Sequence, residues 1–375
     1  MTVPGAPRDI TVRPHWMRVV AARDVIAAPG RFILHAGPPF RDPAQPSTPI
    51  LNAAVLGCLH EDWAESEDAA ETLIRERRVN LLSAQEFGAV MPLAAIATPR
   101  STLVEVADPA APTRRAWSLL GSGMAGPQIR FGARDHAILA RLRFRDDALG
   151  PACATFLQSP VDLVPHAQAG LANGDDLHGR TTAATASLAA MRTGPPALAQ
   201  TLATTPLFFL TLWMAACACM AMALHDRRSP HLVTALGANG ETIGLQSTDA
   251  PGIWKNVPVA SPAGPLPQGV SPEDISPAIG DSGIIDAMGF GGQAIDHAPE
   301  LRAHFGDALP GDLAARRTVF TSALHDFADF GLTGGLDRQR VSDSGITPLI
   351  VIAMLRKTGG LAGRGLYRPP LALFR

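Results

Sequence analysis

The residues best suited to do chemistry fall in four short clusters. Residues 280–292 read G-D-S-G-I-I-D-A-M-G-F-G-G. Glycine tolerates positive φ and close backbone approach. A Gly-Asp-Ser turn running into an apolar segment can also present backbone N–H groups to an anion. The segment is a candidate ligand cradle, with Gly280, Gly291 and Gly292 on its backbone side and Asp281 and Ser282 as its side-chain chemistry. The other reading is a tight turn ahead of a buried helix.

A second cluster, residues 173–180, reads N-G-D-D-L-H-G-R. Asp175, Asp176, His178 and Arg180 bring carboxylate, imidazole and guanidinium together, a set that can orient a substrate or move a proton. No second His/Asp cluster at ligand spacing supports a metal. The competing reading is a polar helix start capped by Asp175 or Asp176. The third cluster is His35-Ala36-Gly37-Pro38-Pro39, a histidine at a strand end running into a rigid turn, where ligands of α/β proteins gather. A hydrogen-bonded structural histidine reads the same way. The fourth joins D-S-G-I-T-P at 343–348 to G-G-L-A-G-R-G-L-Y-R at 359–368. There Ser344, Thr347, Arg364 and Arg368 suit a carboxylate or phosphate. Its glycine spacing matches neither a P-loop nor a dinucleotide fingerprint. No nucleophile elbow, zinc motif or Ser-His-Asp pattern is present, and no cofactor or metal is expected.

The elements that must position these clusters read as mixed α/β. Residues 31–36, 79–82 and 102–106 have strand character, with 94–97 a further candidate. Residues 65–78 form a helical pattern, acidic early and basic late, which suits the helix dipole. From 136 to 228 the pattern is mainly helical. Residues 232–259 return to short strands around Asn239-Gly240, a hairpin signal. Residues 261–277 read as irregular, 312–330 as helical, 346–355 as helix or strand, and 359–365 as a glycine-rich loop. The expected organisation is an N-terminal α/β domain (1–135), a mainly helical domain (136–228) and a C-terminal α/β domain with glycine-rich loops (229–375).

The 375 residues are 46% hydrophobic and 18% charged, a core-forming composition. Lys plus Arg number 32 and Asp plus Glu 34, a net charge of −2, which gives no basic bias toward nucleic acid. Cys58, Cys153, Cys217 and Cys219 form no disulfide or C-x-x-C spacing. With no apolar signal core in residues 1–10, the expected compartment is the cytoplasm. Residues 207–224 carry no charge and precede Arg227 and Arg228. They fit a helix buried on all sides or a membrane span, the former favoured because the flanks read as soluble.

Taken in order, several motifs resemble one family. These are R-P-H-W at 13–16, L-H-A-G-P-P at 34–39, R-F-G-A at 130–133 and G-D-D-L-H-G-R at 174–180. They continue with I-G-D-S at 279–282, G-F-G-G at 289–292, S-G-I-T-P-L at 344–349 and R-P-P-L-A-L-F at 368–374. The chain resembles the YlbE-like family over nearly its whole length. The resemblance implies a subunit of the oxamate carbamoyltransferase of allantoin breakdown, working with FdrA-like and YlbF-like proteins. The implied substrates are small anions: carbamoyl phosphate, phosphate and an amide acceptor. It also implies His178 or His35 as proton shuttle, Asp281 among the catalytic groups, and Gly37, Asp175, Asp176, Arg180, Gly280, Ser282, Gly291, Gly292, Thr347 and Arg364 as anion contacts. The chain departs from the family pattern at 83–96, which lacks a histidine and most glycines, and at Gly283, Ile285 and Asp286. A non-catalytic scaffold or binding subunit is therefore the second reading.

Overall fold

The structure is a computed structural model and describes residues 10–121, 125–191, 194–226 and 231–375. Arg227 and Arg228 lie outside the described residues, as do residues 1–9 of the N-terminal segment.

The first half alternates strands and helices. In order come β1 (His15–Ala21), β2 (Phe32–His35), α1 (Thr48–His60), α2 (Glu67–Arg75), β3 (Asn80–Ser83), β4 (Ala89–Val90), β5 (Thr102–Asp108) and β6 (Ala111–Leu119). Next come α3 (Ala137–Phe144), α4 (Gly150–Phe156), β7 (Val161–Asp162), α5 (Val164–Ala172), α6 (Thr182–Ala189), α7 (Pro196–Thr204) and α8 (Phe208–Met222). A π-helical turn, Arg145–Leu149, joins α3 to α4. The C-terminal part holds β8 (Val233–Asn239), β9 (Thr242–Ser247), β10 (Ala250–Pro258), β11 (Ile279–Gly280), α9 (Gly283–Ala287), α10 (Pro299–Phe305) and α11 (Leu313–Arg316). It ends with β12 (Phe320–Ala323), β13 (Thr333–Leu336), α12 (Arg338–Ser344), β14 (Ile350–Leu355) and β15 (Leu361–Tyr367). The fold class is mixed α+β.

Two sheets frame the site. One has the order β4-β6-β5-β1-β7 and the other β10-β9-β8-β11. β7, from the helical middle, hydrogen-bonds to β1 of the N-terminal part. The central strand β5 is buried along its whole length. The helix α8 explains how the sheets meet: it is apolar on every side and must be surrounded. It packs on β5 and β6 of the first sheet and on β8 of the second. Trp213 sits edge-on to Phe290 at 5.1 Å and to Phe327 at 5.8 Å. The stretch Phe208–His225 is long and apolar enough to cross a membrane, and 83% of it is buried inside the protein.

The Asn239-Gly240 hairpin forms as its sequence suggests. Asn239 Oδ1 accepts the backbone N–H groups of Glu241 and Thr242 at 2.9 and 2.8 Å. Three expectations change. Residues 359–365 are not a free loop, because Leu361–Tyr367 pairs with Ile350–Leu355. Glycine suits that strand because the Met354 side chain lies over it; a Cβ on Gly365 would stand 2.7 Å from Met354 Cγ. Residues 312–330 are helical only at Leu313–Arg316 and in 3-10 turns. Phe320–Ala323 alternates buried and half-buried side chains and pairs with β13, so period two wins over helix there. Residues 94–97 contribute one bridge, Ala97 to Leu34, and no strand.

Candidate functional site

Two buried carboxylates organise the chain around one cleft. Asp281 follows β11 and is inaccessible to solvent. Its Oδ1 accepts the Gly37 N–H at 2.7 Å and the Gln85 amide at 2.6 Å, and its Oδ2 accepts the Met91 N–H at 2.8 Å. Burial pushes its pKa up to about 7 against those donors. Gly37 has φ +79°, and a Cβ there would stand 2.4 Å from the Ala238 carbonyl carbon. Only glycine lets β2's turn approach β8 this closely. Asp281 thus ties together three chain segments that the sequence holds far apart.

Asp286, on α9, is the second carboxylate. Its Oδ2 accepts from His178 Nδ1 at 2.7 Å, and its Oδ1 accepts the Gly292 N–H at 2.8 Å. Burial alone would lower the His178 pKa, but the charge and hydrogen bond of Asp286, with Asp176 nearby, outweigh it and raise the pKa. Asp176 shapes the turn beneath the ring by accepting the N–H groups of His178, Gly179 and Arg180. That turn holds Leu177 at φ +67°, a strained conformation for leucine.

Between these two knots lies a cleft of about 190 Å³. Its walls are Pro92 and Leu93, Arg130 and Phe131, His178 and Gly179, Ser282, β14 at Val351–Ala353, and Gly363 and Arg364 of β15. Leu93 is held at φ +51°, so backbone strain marks both rims. His178 Nδ1 is occupied, and among the described residues Nε2 has no protein partner. The Ser282 hydroxyl likewise has none. Arg130 is only 8% exposed. Its Nε donates to Gln128 at 2.8 Å and its guanidinium lies 4.6 Å from the Phe131 ring centre. No described carboxylate pairs with it, and burial lowers its pKa to about 10. A buried cation without a counter-charge is costly. This one faces a cleft that an anion could enter.

The other expected residues divide sharply. The N–H groups of Gly37 and Gly292 face protein carboxylates, not open space. The Gly291 N–H donates to the Asp176 carbonyl at 2.8 Å. Gly280, at φ +139°, packs against the Leu93 backbone. Asp175, pushed up to about 6 by burial, accepts the Ala184 N–H at the start of α6, a capping role. Arg180 pairs with Asp175 at 3.4 Å and with Glu300 at 3.1 Å. Arg364 pairs with the same Glu300 at 3.3 Å. The Thr347 carbonyl accepts from Arg316 Nη1 at 2.5 Å, and Thr347 does not line the cleft. His35 does not line it either. Its Nδ1 donates to the Ala36 carbonyl at 2.8 Å, and burial lowers its pKa to about 4. Gln85, Arg130 and Asp286 are the residues that sequence reasoning left out of the site. Among the described residues no group of three His, Cys, Asp or Glu side chains is arranged to hold a metal ion.

A family model described as oxamate carbamoyltransferase subunit AllG matches residues 79–282. The chain is 32% identical over 394 residues to the oxamate carbamoyltransferase subunit AllG of Escherichia coli (strain K12), covering 96% of this chain and 92% of that protein. The chain belongs to the AllG family. As a family member it is a subunit of an oxamate carbamoyltransferase system and works in a multi-protein assembly. The uncharacterized protein YahG of Escherichia coli (strain K12) is 28% identical over 370 residues, covering 92% of this chain and 77% of YahG. A crystal structure of a conserved protein of unknown function from Enterococcus faecalis V583 superposes with a TM-score of 0.90 at 25% identity, over 97% of this chain and 93% of that one. The segment matched by the AllG model contains Arg130, His178, Asp281 and Ser282. Asp286 and Arg364, which complete the candidate site described above, lie beyond it.

Proposed function

We propose that this AllG-family subunit binds the anionic reactants of carbamoyl transfer in the cleft between Arg130, His178 and Ser282. The reading carries with it the YlbE-like resemblance, FdrA-like and YlbF-like partner subunits, a cytoplasmic location and a place in allantoin breakdown. The observation that supports it best is Arg130, a buried guanidinium with no described carboxylate partner, facing the cleft.

The chemistry follows from the groups present. A phosphate oxygen attacks the ureido carbonyl carbon of an oxalurate-like substrate. Negative charge gathers on the former carbonyl oxygen of the tetrahedral intermediate, where Arg130 and the Ser282 hydroxyl can neutralise it in a desolvated site. The carbon–nitrogen bond then breaks. The charged His178 ring gives its Nε2 proton to the departing amide nitrogen, and carbamoyl phosphate and oxamate result. In reverse, the amide nitrogen of oxamate attacks carbamoyl phosphate, phosphate leaves, and His178 takes the proton. Asp286 holds the ring in the orientation that points Nε2 at the cleft.

A binding-only role is the second reading, favoured because the glycine N–H groups expected to cradle substrate face protein carboxylates. Turnover of carbamoyl phosphate and oxamate by the chain with its FdrA-like and YlbF-like partners tests both. Loss of turnover in His178→Gln with substrate affinity kept supports the catalytic role. Full turnover in that variant leaves only the binding role.

A further inference from the structure

A second cavity lies behind Arg130. It encloses about 80 Å³ and shares Arg130 and Pro92 with the cleft. Its lining is mostly apolar, including Leu142 and Phe144, with Gln128, Thr201 and three arginines, Arg130, Arg141 and Arg145, as its polar members. Among the described residues no Asp or Glu lines it. Arg145 is neutralised by Asp146 at 2.7 Å. Arg130 and Arg141 have no carboxylate partner among the described residues. Arg141 gives Nη2 to the Ala125 carbonyl at 2.5 Å, while its buried Nη1 has no partner. A buried guanidinium N–H without an acceptor is destabilising, because its desolvation goes uncompensated. Here two cations converge on one small, mostly apolar space lined by no described carboxylate.

We propose that this inner cavity is a second subsite, for a small monocarboxylate, and that Arg130 is the shared wall between it and the outer cleft. The inference rests on the reading of the outer cleft as the anion site and adds the place of the second reactant. Transfer between two anions needs both held within reach of each other. It also needs their mutual repulsion cancelled where they meet. One guanidinium, whose N–H donors point outward along different edges of its plane, serves both ends. The division of labour follows from the linings. The outer cleft, with His178, Ser282 and Arg364, suits the phosphate-bearing reactant. The inner one, with Arg141 and apolar walls, suits a carboxylate attached to a small neutral body.

The test is titration calorimetry on the full chain with oxamate and with inorganic phosphate, singly and together. The expected result is that both anions bind at once. Arg141→Met then weakens oxamate at least about tenfold while phosphate changes by less than about twofold, and Arg141→Lys recovers part of the loss, as a charged hydrogen bond predicts. Competition between the two anions, or an unchanged oxamate affinity in Arg141→Met, overturns the inner subsite and leaves the outer cleft standing. Binding of neither anion by the wild-type chain overturns the cleft reading and this one with it.

Discussion

The Asp281 knot and the cleft wall use similar residues to opposite ends. At Asp281 three donors from β2's turn, residue 85 and residue 91 converge on one carboxylate. Both oxygens of that carboxylate are satisfied within the protein. Across the cleft, His178, Ser282 and Arg130 each keep hydrogen-bonding capacity in hand. The difference teaches where the function lies. Glycine turns and buried aspartates set the shape, and on the proposed reading the groups they leave unsatisfied take up the anion. Asp286 stands between the two regimes, since it is saturated itself but leaves His178 with a free Nε2.

The comparison breaks most visibly through stability. Asp281→Ala strands the N–H groups of Gly37 and Met91 and the Gln85 amide, and should cost about 3 kcal/mol or more. Denaturant unfolding measures this, and a loss within experimental error would show that the knot is not structural. Arg130→Met should do the reverse. Removing a buried unpaired cation leaves the melting temperature equal or higher, while anion affinity falls by about 1.5–3 kcal/mol. Calorimetry with phosphate and thermal melting, run on the same samples, separate the two effects.

The pH dependence sharpens the contrast further. His178 is held above the ordinary imidazole value of about 6.5. Its charged form therefore contributes stability in full below that value and loses it as pH rises through the raised pKa. Asp281, at about 7, has the same sign: its contribution is complete below the ordinary carboxylate range and fades as pH rises toward 7. Thermal melts from acid to mildly alkaline pH should show stability falling across neutrality. His178→Gln should flatten part of that fall, and an unchanged profile would mean the ring is not charged in the fold. The smallest effect concerns Glu300, which is exposed and shared by Arg180 and Arg364. Glu300→Gln should raise anion affinity by no more than about threefold, as expected for solvent-screened pairs. A much larger gain would make Glu300 a true competitor for the substrate.

Much of the frame was legible in the sequence. Strands β2, β3 and β5, helix α2 and the Asn239 hairpin follow from local pattern. The buried α8 follows from an apolar run with no polar face. Strand β15 was not legible, because its glycines are acceptable only beneath Met354 on the paired strand. The GDDLHGR and GDS clusters were visible, and the structure brings His178 and Ser282 to one cleft. What sequence could not show is which groups would be left over. Gly37 and Asp281 lie 244 residues apart, and His178 and Asp286 lie 108 apart. Those pairings decide that the glycines serve protein carboxylates. Arg130 stood in a quoted motif, R-F-G-A, but its importance comes from lacking a described carboxylate partner, a property only the folded chain reveals.

The most direct test is a crystal structure of the full chain with carbamoyl phosphate or phosphate bound. The anion should lie in the cleft within hydrogen-bonding distance of the Arg130 guanidinium and His178 Nε2, with Asp281 still holding Gly37, Gln85 and Met91. An anion bound instead at the Gly37 or Gly292 N–H groups, with Asp281 or Asp286 displaced, would contradict the assignment of structure to one region and binding to the other.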